Sequence, residues 1–266
     1  MNRVISAEFY KIRHCKLLWL VPVIFFAIGF YDAAHYFKIY GLYNRLELFV
    51  LPTLADQYLS AGSAMLAGYV IGMDFSFRTI QNTLSVGVSR RSYYFSRMGM
   101  LMFLAALLYG AAMLGFVCGR LPLVQSVINP AGAALLPASR PELELFWIKL
   151  AVYTAIAILQ LWAYVSILTA ACFYIKKQLP AMAAGLALII IELSFKQLAD
   201  QYNMTFLQNL FSFVPVRVLK NAFEVYAIHD EILTFGFLKF GISALVIIAV
   251  SSAVGFCRFR YDWGNA

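Results

Sequence analysis

The residue types that could carry catalysis are few and scattered in this chain. Its three histidines, His14, His35 and His229, are far apart, and its four cysteines, Cys15, Cys118, Cys172 and Cys257, have no metal-ligand spacing. There is no G-x-x-x-x-G-K-[ST] phosphate loop, no H-E-x-x-H and no G-x-S-x-G, so the chain encodes no nucleotide cradle, zinc-protease helix or hydrolase elbow of those kinds. The expectation is a non-enzyme with no catalytic residues, no metal and no cofactor-binding residues of its own.

Two groups of polar residues remain. Glu192 lies inside an apolar run, and an acid in such a place is a candidate functional site. Lys196 follows it at (i, i+4), the spacing that would neutralise it, so a structural pair competes with a transport role. The second group is the stretch from Asp74 to Arg91. At 100° per residue, Phe77, Ile80 and Leu84 share one face, with Arg78, Asn82 and Ser85 opposite. Gly87 is suited to stop a helix and Ser89 to cap the next. This predicts a short amphipathic helix lying at the bilayer surface. It is either an anchor for a loop or a coupling helix by which a partner moves the rest of the protein.

The elements that would hold these residues follow from composition. Of 266 residues, 62% are hydrophobic, 16% aromatic and 13% charged, with a mean hydropathy of +0.77. Soluble domains carry about 25% charged residues, so this chain cannot cover a soluble surface, and its aromatic content excludes disorder. A membrane-spanning helix needs about 20 apolar residues. The stretches Leu17–Ala34, Thr53–Met73, Met98–Gly119, Phe146–Tyr174, Leu179–Phe195 and Phe237–Cys257 meet that need. None alternates like a barrel strand. The predicted fold class is all-α: a polytopic membrane protein of six transmembrane helices, forming a single domain over residues 1–266.

The net charge of +8 settles the expected orientation. Arg3, Lys11, Arg13, Lys16, Arg78, Arg90, Arg91, Arg97, Lys176, Lys177, Arg258 and Arg260 fall on one side. These 12 cations oppose three acids, Glu8, Asp74 and Asp262, for a net +9; the other side holds nine cations and ten acids, for a net −1. The positive-inside rule then places both termini in the cytoplasm of a plasma (inner) membrane protein, and the basic excess calls for no nucleic acid. Outside, residues 120–145, with four prolines, are expected to be mostly irregular until a helix starts near Pro141-Glu142. Residues 196–236 are expected to form an outer loop with short helices at Leu207–Phe213 and Val214–Ala227. Gly68-x-x-x-Gly72 and Gly115-x-x-x-Gly119 would admit close helix packing, within one chain or between two.

The run Asp74-Phe75, Arg78-Thr79-Ile80, Leu84, Gly87-Val88-Ser89-Arg90 and Arg97 resembles the signature of ABC-2-family permeases, the transmembrane subunits of bacterial ABC exporters. Residues 1–16, with Ala7-Glu8-Phe9-Tyr10-Lys11-Ile12-Arg13, resemble that family's cytoplasmic entry helix, and residues 74–91 its coupling-helix segment. The resemblance implies a substrate pathway formed by a homo- or heterodimer with a second permease chain. It also implies a separate cytosolic ABC ATPase that binds and hydrolyses ATP. Asp74, Phe75, Arg78, Thr79, Ile80, Leu84 and Arg90 would serve ATPase coupling. No motif selects among the peptides, antibiotics, lipids, glycans and ions that such exporters carry. Two other classes fit the composition: a non-transporting scaffold or immunity-type protein, favoured by few polar residues inside the spans, and a gradient-driven carrier using Glu192. Membrane lipids are partners in every case.

Overall fold

The computed structural model describes residues 10, 14, 16–40, 53–77, 79–128, 140–202 and 241–262. Regular structure among them consists of seven helices: α1 (Lys16–Tyr40), α2 (Thr53–Ser76), α3 (Thr79–Ser85), α4 (Arg90–Ile128), α5 (Arg140–Ile175), α6 (Gln178–Gln201) and α7 (Ile242–Asp262). The expected all-α class holds, and five of the six expected apolar stretches each fall on one long helix; residues 242–257 of the sixth lie on α7, and 237–240 lie outside the described residues. Arg90–Gly119, Thr154–Ile175 and Ile242–Asp262 are long and apolar enough to cross a membrane, and Leu18–Ala33 is apolar but shorter. α2 and α6 are each 24 residues long; the first carries Asp56 and Asp74, and the second Glu192, Lys196 and Asp200.

Two boundaries differ from the sequence expectation. Residues 120–128 are helical, because α4 runs through Pro122 to Ile128. One proline removes a single amide donor, and helices in apolar surroundings tolerate that loss; α1 likewise contains Pro22. α6 continues past Phe195 to Gln201, since no glycine or proline interrupts it, and closes with the Tyr202 amide on the Leu198 carbonyl at 3.0 Å. The expected outer helices at Leu207–Phe213 and Val214–Ala227, and residues 1–16 except Tyr10, His14 and Lys16, lie outside the described residues.

The long helices associate most closely in three pairs, each built on small residues. In α1 and α4, which run parallel, a Cβ at Gly29 would overlap the Ala112 carbonyl oxygen, and one at Gly115 would overlap that of Phe26. Gly119 faces Phe30 and Ala33 in the same seam. α5 and α7 also run parallel, with Gly255 against Ala170 and the hydroxyls of Ser166 and Ser251 2.6 Å apart. α2 and α6 run antiparallel, with Gly68 on Met182 and Gly185 on Ala64. In an apolar solvent, close backbone approach and dispersion take over the role that hydrophobic burial has in water. Gly68, Gly115 and Gly119 therefore serve packing within the chain.

Candidate functional site: the α2–α3–α4 elbow

These packing directions bring the ends of α2, α5 and α7 together with the starts of α4 and α6 at one end of the bundle. That end is filled by rings. Tyr94 lies 5.0 Å from Phe173 and 5.9 Å from Phe256, centroid to centroid, and Phe173 lies 5.0 Å from Phe259. Phe75, at the end of α2, meets Phe173 edge-on at 5.9 Å.

Seven residues cannot hold a helix alone in water, so α3 depends on its surroundings. Ile80 is buried and Leu84 half-buried against the core, while Gln81, Asn82 and Ser85 face outward. The expected amphipathic pattern is thus present, with one correction. Phe77 lies in the turn after α2 and is 68% exposed, because the helix breaks there and the 100° progression from 77 to 80 is lost. The other end of α3 closes as expected. Gly87 has φ +90°, its amide bonds the Leu84 carbonyl at 3.0 Å, and the Val88 amide reaches the Thr83 carbonyl at 3.4 Å. This is the doubly bonded glycine stop of a helix C-terminus. Two residues later, the Ser89 hydroxyl oxygen accepts the Ser92 amide at 3.2 Å and caps α4.

Beneath α3 lies a buried ion pair. Arg97 Nη2 donates to Asp74 Oδ1 at 2.6 Å, with the arginine side chain 2% exposed and the aspartate 8%. The Tyr93 hydroxyl donates to Asp74 Oδ2 at 2.7 Å, and Arg97 Nε reaches the same phenol oxygen at 3.4 Å. The guanidinium also stands 5.4 Å from the Tyr93 ring centroid and extends Nη1 toward the Met100 sulfur at 3.7 Å. Tyr93 in turn stacks on Phe259. Two helices separated by the α3 elbow are therefore joined by charge-assisted hydrogen bonds, which are shorter and stronger than neutral ones.

Of the residues expected to serve coupling, Asp74, Phe75, Ile80 and Leu84 lie inside the elbow. Thr79 is half-buried and its carbonyl accepts the Thr83 hydroxyl at 2.7 Å. Arg90 is half-buried at the start of α4, beside a cavity of about 500 Å³ lined by Ser89, Arg91, Ser92 and Phe95. Arg78 lies outside the described residues. Glu192 and Lys196 are on α6, far along the chain from the elbow, and their side chains are likewise outside the description.

Sequence reasoning missed Tyr93, although its place one turn before Arg97 puts both on one face. It also undercounted polar groups in the bundle: Asp32, Gln160, Ser166 and Thr169 are all buried. Another clasp occupies the same end, where the Asp262 carboxylate forms ion pairs with Lys176 at 2.8 Å and Arg258 at 3.3 Å. Among the described residues no group of histidine, cysteine and acids could hold a metal ion.

No curated protein and no solved structure matches the chain. The sequence profile of the ABC-2 family transporter proteins matches residues 4–194, a range that includes the whole elbow. With most of its length under that profile and its apolar helices built to cross a bilayer, the chain belongs to the ABC-2 family, as a membrane permease of an ABC transporter.

Proposed function

We propose that this permease forms the substrate pathway of an ATP-driven exporter as a dimer, and that α3 is the helix on which a separate cytosolic ABC ATPase acts. The observation that carries this reading is the build of α3. Its polar face, Gln81, Asn82 and Ser85, is open, while Ile80 and Leu84 root it in the bundle beside the start of α4. A push on that face cannot be absorbed by a loose loop.

On this reading all six long helices span the plasma membrane, with both termini in the cytoplasm. The 12 cations of the inner segments, against nine outside, support that orientation. ATP belongs to the partner, and this chain contributes no nucleotide, metal or cofactor residues. The purified chain is expected to hydrolyse no ATP alone and to support hydrolysis once the phosphate-loop ATPase from its native membrane is added. Robust hydrolysis by the isolated chain would sink the proposal. Leu84→Asp and Arg78→Glu should abolish permease-dependent stimulation of the ATPase while the protein still inserts. Undiminished stimulation in both would reduce α3 to an anchor.

A further inference from the structure

We infer that Asp74, Arg97 and Tyr93 form a positioning joint that makes α3 and α4 one lever, whose output is α1; this rests on α3 being the site of ATPase action. The argument is a comparison of contact types. α3 is tied to α4 by the Gly87 stop and the Ser89 cap, which leave only a short extended link between them. The end of α2, where the elbow begins, is bound to α4 by the Asp74–Arg97 pair and the Tyr93 phenol. These bonds are directional and charge-assisted, so the elbow cannot hinge open without breaking them. From α4 onward the connection is backbone on backbone. A side chain at Gly29 or Gly115 would collide with a carbonyl oxygen of the facing helix, so that seam has no slack to absorb a tilt.

The boundary between α4 and the α5–α7 pair is of another kind. It is dominated by rings: Tyr94 against Phe173, Phe256 and Phe259, and Tyr93 against Phe259. Ring pairs prefer certain angles by only about 0.5–1.5 kcal/mol each, so these contacts survive small rotations. Hydrogen bonds cross it too, among the described residues those from Trp162 Nε1 to the Met102 carbonyl at 2.8 Å and from Ser252 Oγ to the Met98 sulfur at 3.1 Å. Both are neutral, and the second ends on a weak acceptor. Motion entering at α3 is therefore delivered to α4 and α1 together and taken up at the aromatic boundary, with Tyr94 over Gly255 as the pivot.

The test is spin-label distance measurement on the full chain in lipid nanodiscs, with all four cysteines replaced. One label stands at Gln81→Cys on α3. Its partner stands in turn at Phe103→Cys on α4, Val23→Cys on α1 or Val250→Cys on α7, all exposed positions. In the chain alone, the α3–α4 distribution is expected to be narrow, to lose that narrowness in Asp74→Asn, and to regain it in Asp74→Glu. If Asp74→Asn does not fold, Tyr93→Phe keeps the ring on Phe259, removes only the phenol bonds, and should show the same loss. An unchanged distribution in the removal variants that fold overturns the joint, whatever the partner proves to be. With the co-purified ATPase trapped by ATP and vanadate, the α3–α7 distance should shift while the α3–α1 distance holds. Equal shifts in both overturn the assignment of α1 as output. No shift in either, with the joint intact in the chain alone, counts against ATPase action on α3 and so against the lever's input. In that complex, Asp74→Asn should lower permease-dependent stimulation of ATP hydrolysis about tenfold.

Discussion

Arg97 holds Asp74 at 2.6 Å across a separation of 23 residues, and both side chains are almost fully removed from solvent. The pair spans the elbow at which the chain leaves the end of α2 and re-enters the bundle as α4. Everything the elbow exposes, including the polar face of α3, is set by the position of those two charges. The buried pair is a fixed point and the surface helix is built outward from it.

Breaking that pair from one side should be far worse than removing it whole. Arg97→Met leaves the Asp74 carboxylate buried with, among the described residues, the Tyr93 hydroxyl alone, and should cost about 3–5 kcal/mol. The double variant Asp74→Leu/Arg97→Met removes both charges and should recover most of that loss. Thermal unfolding in detergent, read for the singles and the double, gives the coupling energy. Additive losses would mean that the two charges do not compensate each other.

Gly87 carries the stop of α3 at φ +90°, where a side chain is strained. Gly87→Ala should cost about 1–2 kcal/mol, concentrated in the elbow. Faster amide exchange and easier proteolysis at residues 77–90 would report it. Gly110→Ala is the control: among the described residues no heavy atom lies within 4 Å of a Cβ there, so it should be neutral or stabilise the helix by up to about 1 kcal/mol. Equal effects at both glycines would remove the conformational argument.

The second clasp at this end should behave differently from the first. Lys176 meets Asp262 at 2.8 Å, but the lysine side chain is 39% exposed, as is the neighbouring Arg258 at 40%. The Asp262 side chain is 10% exposed, but both cations reach water, and pairs with such exposed partners are worth about 0–1 kcal/mol and weaken with salt. Asp262→Asn should therefore change the unfolding midpoint little at low salt and not at all at high salt. A loss as large as that of Arg97→Met would show that the chain end is anchored by more than this contact.

How much of this was legible depended on whether a signal is local. Ile80, Leu84, Gly87 and Ser89 lie within one short window, so periodicity and capping chemistry read them correctly. Phe77 misled because the same periodicity was carried across a turn that no residue announces. Asp74 and Arg97 were each singled out by the acidic-aromatic and basic positions of a family signature. Their pairing was not readable, because it depends on α2 and α4 folding back beside each other. Tyr93 was lost among 16 tyrosines in a chain where aromatic residues are the background. Asp32 and Gln160 sit in runs whose average hydropathy conceals one polar group, although a residue-by-residue scan of those runs would have flagged them.

The α1–α4 seam offers the sharpest test of packing. Gly115 lies so close to Phe26 that even one methyl group would overlap a backbone carbonyl oxygen, which cannot rotate away as a side chain can. Gly115→Ala must therefore push the two helices apart along their length, at a cost of about 1–3 kcal/mol. Gly99→Ala on the same helix meets no heavy atom within 4 Å among the described residues and should cost nothing. A cysteine pair across the seam would then crosslink more slowly in Gly115→Ala than in Gly99→Ala. If both variants crosslink at the parental rate, the backbones are farther apart than this packing requires, and α1 is not bound to α4 tightly enough to move with it.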